Sequence, residues 1–253
     1  MLLLPTGNCV RLIVLFGLCC VLAPATSHAA KPEPKKETPI VPAKDGLPEI
    51  ITLFNGKDIE DWEGNKELWS VVDGEIVAKN TKPVKVSTYL LPKKGDKLRE
   101  FSDFRLTAHV KLVTSEMHSG VAFWGQLMPE KGDPHTYAGP LVMFPSNWGM
   151  WDLYGRNGLP VDGGPAKKVG KQHDWNELEI LAVGNRVRVA VNGVQVVDWR
   201  DPERKTTDKG FGQDGPIGLQ LHSNDSPQEV HFKDLILTTF PGEKLVTVKE
   251  EKK

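Results

Sequence analysis

Cysteine, net charge and long apolar runs are all scarce in this sequence. The three cysteines lie within the first 20 residues, and 32 Lys and Arg against 33 Asp and Glu leave a formal charge of −1. A nucleic-acid-binding domain usually carries a basic surface, so this balance argues against a nucleic-acid partner. The 39% of hydrophobic residues is nevertheless enough to build a packed core. The sequence is therefore that of a folded protein without a polyanionic ligand.

The longest apolar run lies near the N-terminus and is too short to cross a membrane. Residues 12–22 are apolar and follow Arg11, whereas a spanning helix needs about 20 such residues. Ser27-His28-Ala29 then fits the small-x-small pattern of a signal-peptide cleavage site. We predict that residues 1–30 are a secretory signal and that the mature protein is secreted or periplasmic, without membrane association. The alternative is an uncleaved N-terminal anchor.

Removal of this signal would leave a mature protein without cysteine. Such a protein has no disulfide, no thiolate nucleophile and no cysteine-ligated zinc. Its stability outside the cytoplasm would have to come from packing.

Composition divides the rest of the chain into a linker, one domain and a tail. Residues 31–48 contain five prolines, mixed charges and few apolar residues, which is typical of a stiff, extended linker. Residues 241–253 end in Glu-Glu-Lys-Lys and are predicted to be a frayed, charged tail. The folded unit is then residues 49–240, a length that suits one all-β domain.

Strand-like alternation runs through the predicted domain, where apolar residues at every second position predict strands with one buried face. These rows are Phe104, Leu106, Ala108, Val110 and Leu112; Leu178, Ile180 and Ala182; Val187, Val189 and Val191; Ile217, Leu219 and Leu221; and Val230 and Phe232. Asn192-Gly193 and Asp73-Gly74 predict tight hairpin turns, because both central residues of such a turn need positive φ. No window shows a convincing helical stripe. The pattern indicates an all-β fold, either a two-sheet sandwich or a jelly roll.

Residues 118–164 depart from this alternation, because they are rich in Gly, Pro and aromatic residues. Long irregular segments on a β scaffold often line a ligand site. The candidate site residues that the segment supplies are His118, Trp124, Trp148, Trp151, Asp152, Tyr154 and Arg156.

Eight short motifs together resemble those of a known family. They are LFNGKD (53–58) followed by Trp62, WSVVDGEI (69–76), HSGV (118–121), LYG (153–155), WNE (175–177), VNG (191–193), GPIGLQLH (215–222) and VHFKDL (230–235). Their order and spacing resemble the 3-keto-disaccharide hydrolase family, long known as a domain of unknown function. The resemblance implies a jelly roll of the concanavalin A-like lectin/glucanase type, export, and action on 3-keto-glycosides. Two places differ from the family: His118 stands where members carry Asn, and residues 139–144 offer no titratable side chain.

The activity implied by the resemblance needs a base near neutrality. The hydrogen on C2 of a 3-keto sugar is acidic, so a base can remove it and the enolate can then expel the substituent on C1. A hydrogen-bond donor or a metal ion would stabilise the developing enolate oxygen, and addition of water would complete a hydrolysis. The paired carboxylates of ordinary glycosidases are not required.

Histidine suits the role of this base, because it titrates near physiological pH. His222 is the first candidate, at the end of a predicted strand with Asp225 near enough to orient it, and His118 is the second. Arg156 is the candidate donor to a sugar hydroxyl or to the enolate. Each residue also has a structural alternative. His222 would then be a hydrogen-bonded histidine at a strand end, His118 a histidine in a loop, and Arg156 an arginine that braces a loop.

Sugar-binding residues are predicted on the irregular segment and on one strand. Exposed indole rings can stack on sugars, whereas packing within the fold is the alternative for each. The candidates are Trp124, Trp148, Trp151, Tyr154, Asp152 (otherwise a turn cap) and Gln220 (otherwise a solvated outer residue). Trp62, Trp69 and Trp175 are predicted to lie in the core, and Glu177 and Glu179 on a solvated outer face.

No motif predicts a metal or a cofactor. The sequence has no His-Glu-x-x-His, no acidic calcium loop and no Gly-rich phosphate loop. A divalent cation is compatible with the chemistry, and His135, Asp133 and Asp152 are the residues that would have to meet. The predicted function is an exported hydrolase or lyase that cleaves a carbohydrate partner, a 3-keto-glycoside. A non-catalytic carbohydrate-binding domain and an envelope interaction module are the alternatives.

Overall fold

The computed structural model describes residues 38, 40–114, 118–143, 152–153, 169–201 and 214–248. The signal predicted for residues 1–30 lies outside these ranges. The residues from Thr38 onward form one compact unit. Within the part of the chain that the structure describes, no helix has the length and apolarity needed to cross a membrane.

Nineteen strands and one short 3-10 helix, Pro129–Lys131, make up the regular structure of the described residues. In chain order the strands are β1 Glu49–Thr52, β2 Trp62–Glu63, β3 Trp69–Val72, β4 Glu75–Asn80, β5 Thr88–Lys94, β6 Lys97–Leu98, β7 Glu100–Phe101, β8 Phe104–Thr114, β9 Gly120–Ala122, β10 Gln126–Leu127, β11 Tyr137–Ala138, β12 Leu141–Met143, β13 Asp152–Leu153, β14 Asn176–Val183, β15 Arg186–Val191, β16 Val194–Arg200, β17 Gly215–Pro216, β18 Gly218–Leu221 and β19 Gln228–Thr239.

Most of these strands belong to two antiparallel sheets. The first sheet has eight strands in the order β16-β15-β14-β8-β19-β4-β3, with β1 beside β19. The second has seven strands in the order β13-β12-β9-β18-β5-β2, with β6 beside β5. The predicted all-β jelly-roll sandwich of the concanavalin A-like type is confirmed.

The core lies between the two sheets and uses the predicted alternating rows. Leu106 and Val110 of the first sheet join Val121 and Leu219 of the second in one apolar cluster, and none of the four is more than 1% exposed. Each such side chain stabilises the fold by about 1.5 to 3 kcal/mol when it is fully buried. The residues between them in sequence point to the outer faces of the sheets.

Both predicted hairpin turns are present. Asp73-Gly74 joins β3 to β4, and Asn192-Gly193 joins β15 to β16. All four residues have positive φ, between 49° and 84°. Asn, Asp and Gly are the residues that adopt this backbone conformation most readily, which is why the sequence pattern identified both turns.

Parts of the predicted linker and of the predicted tail are hydrogen-bonded to the domain. The Val41 amide donates to Asn185 Oδ1 at 3.1 Å, and the Lys44 amide donates to Asp103 Oδ2 at 3.0 Å. At the other end, the Val246 and Thr247 amides donate to the Glu179 carboxylate at 2.9 to 3.0 Å. Residues 242–247, called the C-terminal strap below, therefore lie against the first sheet.

Glu179 is fully buried, so the prediction of a solvated outer-face residue is wrong. It does lie on the outer face of β14, since its neighbours Leu178 and Ile180 face the core, but the C-terminal strap covers it. Arg105 Nε donates to it at 3.0 Å and Thr247 Oγ1 at 2.7 Å. A buried carboxylate is tolerated here because several donors and one opposite charge satisfy it.

Two of the three tryptophans predicted in the core are buried there. Trp62 and Trp69 are 1% and 2% exposed. Trp175 is only partly buried, which corrects the prediction. The ammonium groups of Lys111 and Lys233 lie 4.5 and 4.0 Å from its ring, so cation–π contacts shield it in place of core packing.

Candidate active site

His118, His222 and Gln220 share the outer face of the second sheet. Leu219 faces the core, so the pleat turns Gln220 outward. In the antiparallel pair of β18 and β9, Gly218 lies opposite Ala122 and Leu219 opposite Val121. The same register, continued past the strand ends, places His222 opposite His118. Two histidines 104 positions apart in sequence therefore meet where β9 begins and β18 ends, at the end of two central strands of the sheet.

The two imidazole rings are in contact. Their centroids are 4.3 Å apart and their planes are inclined by 66°. Burial, and then the neighbouring His222, lowers the pKa of His118 to about 4. Burial also lowers the pKa of His222, while its hydrogen bond to the Ser223 backbone opposes that shift. Both rings are therefore neutral at pH 7.

The hydrogen bonding of His222 determines which ring nitrogen can act as a base. Its Nδ1 lies 2.5 Å from the Ser223 carbonyl oxygen. A carbonyl can only accept a hydrogen bond, so Nδ1 carries the proton and Nε2 carries the lone pair. Asp225, predicted to orient this ring, instead pairs with Lys85 at 3.0 Å, and both of those side chains are exposed. The Ser223 carbonyl takes the orienting role that the sequence assigned to Asp225.

The backbone around the histidines is fixed by side-chain hydrogen bonds. The Gln228 side-chain amide donates to the His222 carbonyl. The Ser223 amide donates to Ser87 Oγ at 3.0 Å, and Ser119 Oγ donates to the Gln220 carbonyl at 2.6 Å. These bonds tie the two histidine-bearing segments to β18, to the start of β19 in the first sheet and to the residue before β5, which limits the movement of the rings.

Gln220 is neither solvated nor packed in the main core. It is 3% exposed and its Nε2 donates to the hydroxyl of Tyr89 at 2.7 Å. Tyr89 lies directly opposite Gln220 in the pair of β5 and β18. Burial raises the pKa of Tyr89 to about 12, and the bond from Gln220 opposes the shift. Tyr89 is not among the residues predicted from sequence, although its place between Thr88 and Leu90 in a strand is a signal for an outer-face position.

The strands on the other side of His118 make this face apolar. Leu141 and Met143 of β12 are 7% and 2% exposed and occupy outward positions beside β9. Gly120 is required between them, because a Cβ there would lie 2.6 Å from the Val142 carbonyl oxygen. The site therefore combines one polar side, toward Tyr89, with one apolar side.

Trp124 lies in the core, so the prediction that its ring stacks on a sugar does not fit the structure. The side chain is 1% exposed and its Nε1 donates to the Ser102 carbonyl at 2.6 Å. Edge-to-face contacts with Phe104 and Phe123 surround the ring. Its φ of 53° is uncommon for a bulky residue and turns the indole inward at the end of β9.

Four of the remaining candidates lie outside the described residues: Trp148, Trp151, Tyr154 and Arg156. Asp152 is described as part of β13, where it pairs with Met143. Of the predicted site, the structure thus brings together His118, His222 and Gln220, and it separates Trp124 from them.

The described residues contain no group of three His, Cys, Asp or Glu side chains placed to hold a metal ion. His135 Nδ1 lies 3.9 Å from Asp133 Oδ1, and its Nε2 lies 3.2 Å from Glu63 Oε1. These side chains form a polar cluster beside β5, and the Tyr89 amide donates to the His135 carbonyl at 3.1 Å.

A cavity of about 630 Å³ lies at another place, beside β3 and β4. Its lining includes Lys66, Lys79, Lys82 and Lys85, and none of the predicted catalytic or sugar-binding residues. Lys79 and Lys85 are already paired with Glu229 and Asp225. Volume alone therefore does not identify the site, and the histidine pair is the better candidate on chemical grounds.

The chain is similar to known proteins in fold and in domain family. A proposed glycosyl hydrolase of Parabacteroides distasonis ATCC 8503 shares 20% identity over 76% of this chain and 94% of its own, with a TM-score of 0.58. A second such protein of the same organism shares 21% identity over 76% of this chain and 100% of its own, with a TM-score of 0.52. At these identities the likeness shows a common fold. No curated protein matches the chain. Residues 49–238 match the model of the 3-keto-alpha-glucoside-1,2-lyase-like domain.

Proposed function

Because the chain belongs to the 3-keto-alpha-glucoside-1,2-lyase-like family, and so is a carbohydrate-active protein, we propose that it cleaves 3-keto-glycosides as a hydrolase or lyase. One observation carries the proposal: His222 is neutral, partly exposed and on the outer face of the second sheet, and the hydrogen bond from its Nδ1 leaves the lone pair on Nε2. A base of this kind is what abstraction of the proton on C2 requires.

In the proposed reaction, His222 Nε2 takes the proton from C2 and becomes an imidazolium. The electron pair of the C2–H bond forms the enolate, whose charge lies on the oxygen of C3. Collapse of the enolate restores the C3 carbonyl, forms the C1–C2 double bond and breaks the bond between C1 and the leaving oxygen. The leaving oxygen takes up the proton from the imidazolium, which returns His222 to its neutral form. Addition of water to the unsaturated product completes the hydrolysis, whereas its release without water makes the protein a lyase.

His118 would position the base in this scheme. Its buried ring contacts His222 and excludes water from that side. Because His118 is neutral, it does not oppose the positive charge that forms on His222 during proton transfer. Arg156, predicted from sequence as a donor to the enolate, remains a proposal.

Replacement of the base is the direct test. Purified mature protein is incubated with a 3-keto-glucoside or 3-keto-trehalose, with and without a chelator, and product is measured by chromatography. In the variant His222→Ala we expect the rate to fall about 100-fold or more, as for loss of a general base. The exposed His173 supplies the control variant His173→Asn, which should keep the rate. Full activity of His222→Ala would exclude His222 as the base, and chelator sensitivity would indicate a metal.

A non-catalytic carbohydrate-binding domain is the second candidate. Leu141 and Met143 support it, because the site has apolar side chains where the family carries a titratable or amide side chain. Binding of a 3-keto-glucoside without any product from the wild-type protein would favour this function.

We propose in addition that the protein is secreted or periplasmic. The supporting features are the short apolar run at residues 12–22 and the small residues after it.

A further inference from the structure

The Tyr89–Gln220 pair has unused hydrogen-bonding capacity in a buried place. Gln220 Oε1 is buried and accepts no hydrogen bond from the residues that the structure describes. The Tyr89 hydroxyl accepts from Gln220 Nε2, and no described group accepts its proton. In the opposite orientation of the amide, the Tyr89 hydroxyl would donate to Oε1 and Nε2 would lack a partner, so one buried polar atom of Gln220 is unpaired in either orientation. Buried polar atoms are nearly always paired, so this pair has room for a partner that the described residues do not supply.

The position of the pair suggests which partner that is. Gln220 and His222 are two residues apart on one face of an extended segment, so their Cα atoms are about 7 Å apart. The Tyr89 oxygen lies 2.7 Å from the Gln220 amide nitrogen. The pair and the base therefore border the same small area of the sheet. C2 and C3 of a sugar are adjacent atoms, so a base for C2 and a donor for the oxygen on C3 must lie within one ring's width.

Resting on the proposed function, we propose that Tyr89 donates its hydroxyl proton in a hydrogen bond to the C3 oxygen of the substrate, while Gln220 Oε1 accepts from a neighbouring sugar hydroxyl. Tyr89 is then a catalytic residue, because its hydrogen bond strengthens as negative charge develops on the enolate oxygen. Gln220 binds the substrate and also orients Tyr89 through its Nε2. The pair distinguishes a 3-keto sugar from its parent, in which C3 carries a hydroxyl.

The neutral state of Tyr89 is consistent with this role. Burial raises its pKa to about 12, so the phenol keeps its proton at pH 7 and can donate. The ring is held by Tyr137, whose centroid is 5.6 Å away. The hydroxyl of Tyr137 is fully used, since it donates to the Pro216 carbonyl at 2.7 Å and accepts from the Gly125 amide at 2.6 Å. Tyr137 therefore offers a matched control in the same cluster.

The test compares Tyr89→Phe with Tyr137→Phe in the purified mature protein. For Tyr89→Phe we expect kcat on a 3-keto-glucoside to fall by about 10²- to 10³-fold, as for loss of one oxyanion donor, with little change in KM. Tyr137→Phe should lower the melting temperature and keep kcat within about threefold. Gln220→Met should raise KM for the 3-keto-glucoside and lower kcat. A wild-type kcat in Tyr89→Phe, or an equal loss in Tyr137→Phe, would overturn the proposal.

Binding measurements separate this inference from the proposed reaction. Calorimetry in the His222→Ala background compares a 3-keto-glucoside with the parent glucoside. We expect His222→Ala to prefer the keto sugar and the added Tyr89→Phe change to reduce that preference about tenfold or more. If the wild-type protein proves inactive, the proposed function fails, but this ratio still decides the role of Tyr89. The proposed role of Tyr89 would be refuted if the ratio of the two sugar affinities were the same with and without the Tyr89 hydroxyl. It would also be refuted if neither sugar bound.

Discussion

His118 is held neutral by its surroundings in the folded protein. The ring is 7% exposed and contacts another imidazole, so protonation would place a charge where water cannot solvate it. The unfolded chain has no such restriction. A proton that binds the unfolded state more readily than the folded state makes stability depend on pH.

This difference predicts a specific loss of stability in acid. Above pH 6.5 the residue is neutral in both states, whereas the unfolded state binds a proton as the pH falls from 6.5 toward about 4. We expect the free energy of unfolding to fall by about 2 to 3 kcal/mol over this pH range because of His118. Urea denaturation at pH 7.0 and 4.5 measures it. His118→Asn should lose correspondingly less stability than the wild type.

The exposed His173 is the control for that experiment. Its φ of 56° is one that Asn tolerates, so His173→Asn should lose as much stability in acid as the wild type. The same loss in all three proteins would contradict the assignment to His118.

The sequence predicts the position of a site residue only where that position follows from alternation along a single strand. Alternation places Gln220 on the face opposite Leu219, as predicted. The contact of His118 with His222 depends on the register between β9 and β18, which no local pattern encodes. Trp124 was misassigned because its positive φ turns the ring inward, and residue type does not predict that conformation for tryptophan.

At the scale of elements, the C-terminal strap acts as an additional layer on the first sheet. Besides the Glu179 bonds, Arg105 donates from its guanidinium to the Gly242 and Lys244 carbonyls at 3.2 and 2.5 Å. Arg188 donates to the Glu243 carbonyl. The strap thus forms hydrogen bonds with a buried carboxylate and with two arginines at once.

Removal of the strap is predicted to destabilise the sandwich. In a chain that ends at Pro241, Arg105 is the one hydrogen-bond partner of Glu179 left among the described residues. The Glu179 carboxylate also loses the strap that covers it. We expect a loss of about 3 kcal/mol in unfolding free energy, measured by urea denaturation. A chain that ends at residue 248 keeps all the Glu179 bonds and should match the full chain within about 0.5 kcal/mol. Equal stability of the two truncated chains would contradict the role of the strap.

The strands and the strap illustrate what local sequence can and cannot predict. The alternating row of β8 and the turn at Asn192-Gly193 were visible because their signals span a few residues. The burial of Glu179 was not, since Val246 lies 67 residues further along the chain and its amide carries no side-chain signal. Whether another segment covers the outer face of a sheet depends on contacts between residues that are far apart in sequence.

At the scale of the whole molecule, all three cysteines fall in the predicted signal. Residues 38–248 contain no cysteine, so no disulfide can contribute to the stability of the sandwich. Buried apolar contacts between two sheets must supply that stability in an oxidising compartment as well as in a reducing one.

Export and cysteine content can be checked together on the secreted protein. Mass spectrometry of protein from the periplasm or medium should find a chain that begins close to Lys31, because the predicted signal ends at residue 30. Thiol titration of the unfolded protein should then give no reaction, and a reductant should leave the melting temperature unchanged. Recovery of the chain with Cys9, Cys19 and Cys20 still present would support an uncleaved anchor.

The C-terminal strap also determines how the protein can be joined to a surface or a fusion partner. It crosses the outer face of the first sheet, while His118 and His222 lie on the outer face of the second. A support or reporter attached directly after residue 248 would therefore meet the molecule on the layer remote from the histidines. Immobilised through that end, the protein would present His222 to the surrounding solution, and the proposed cleavage of a soluble 3-keto-glycoside should not depend on the size of the attached group.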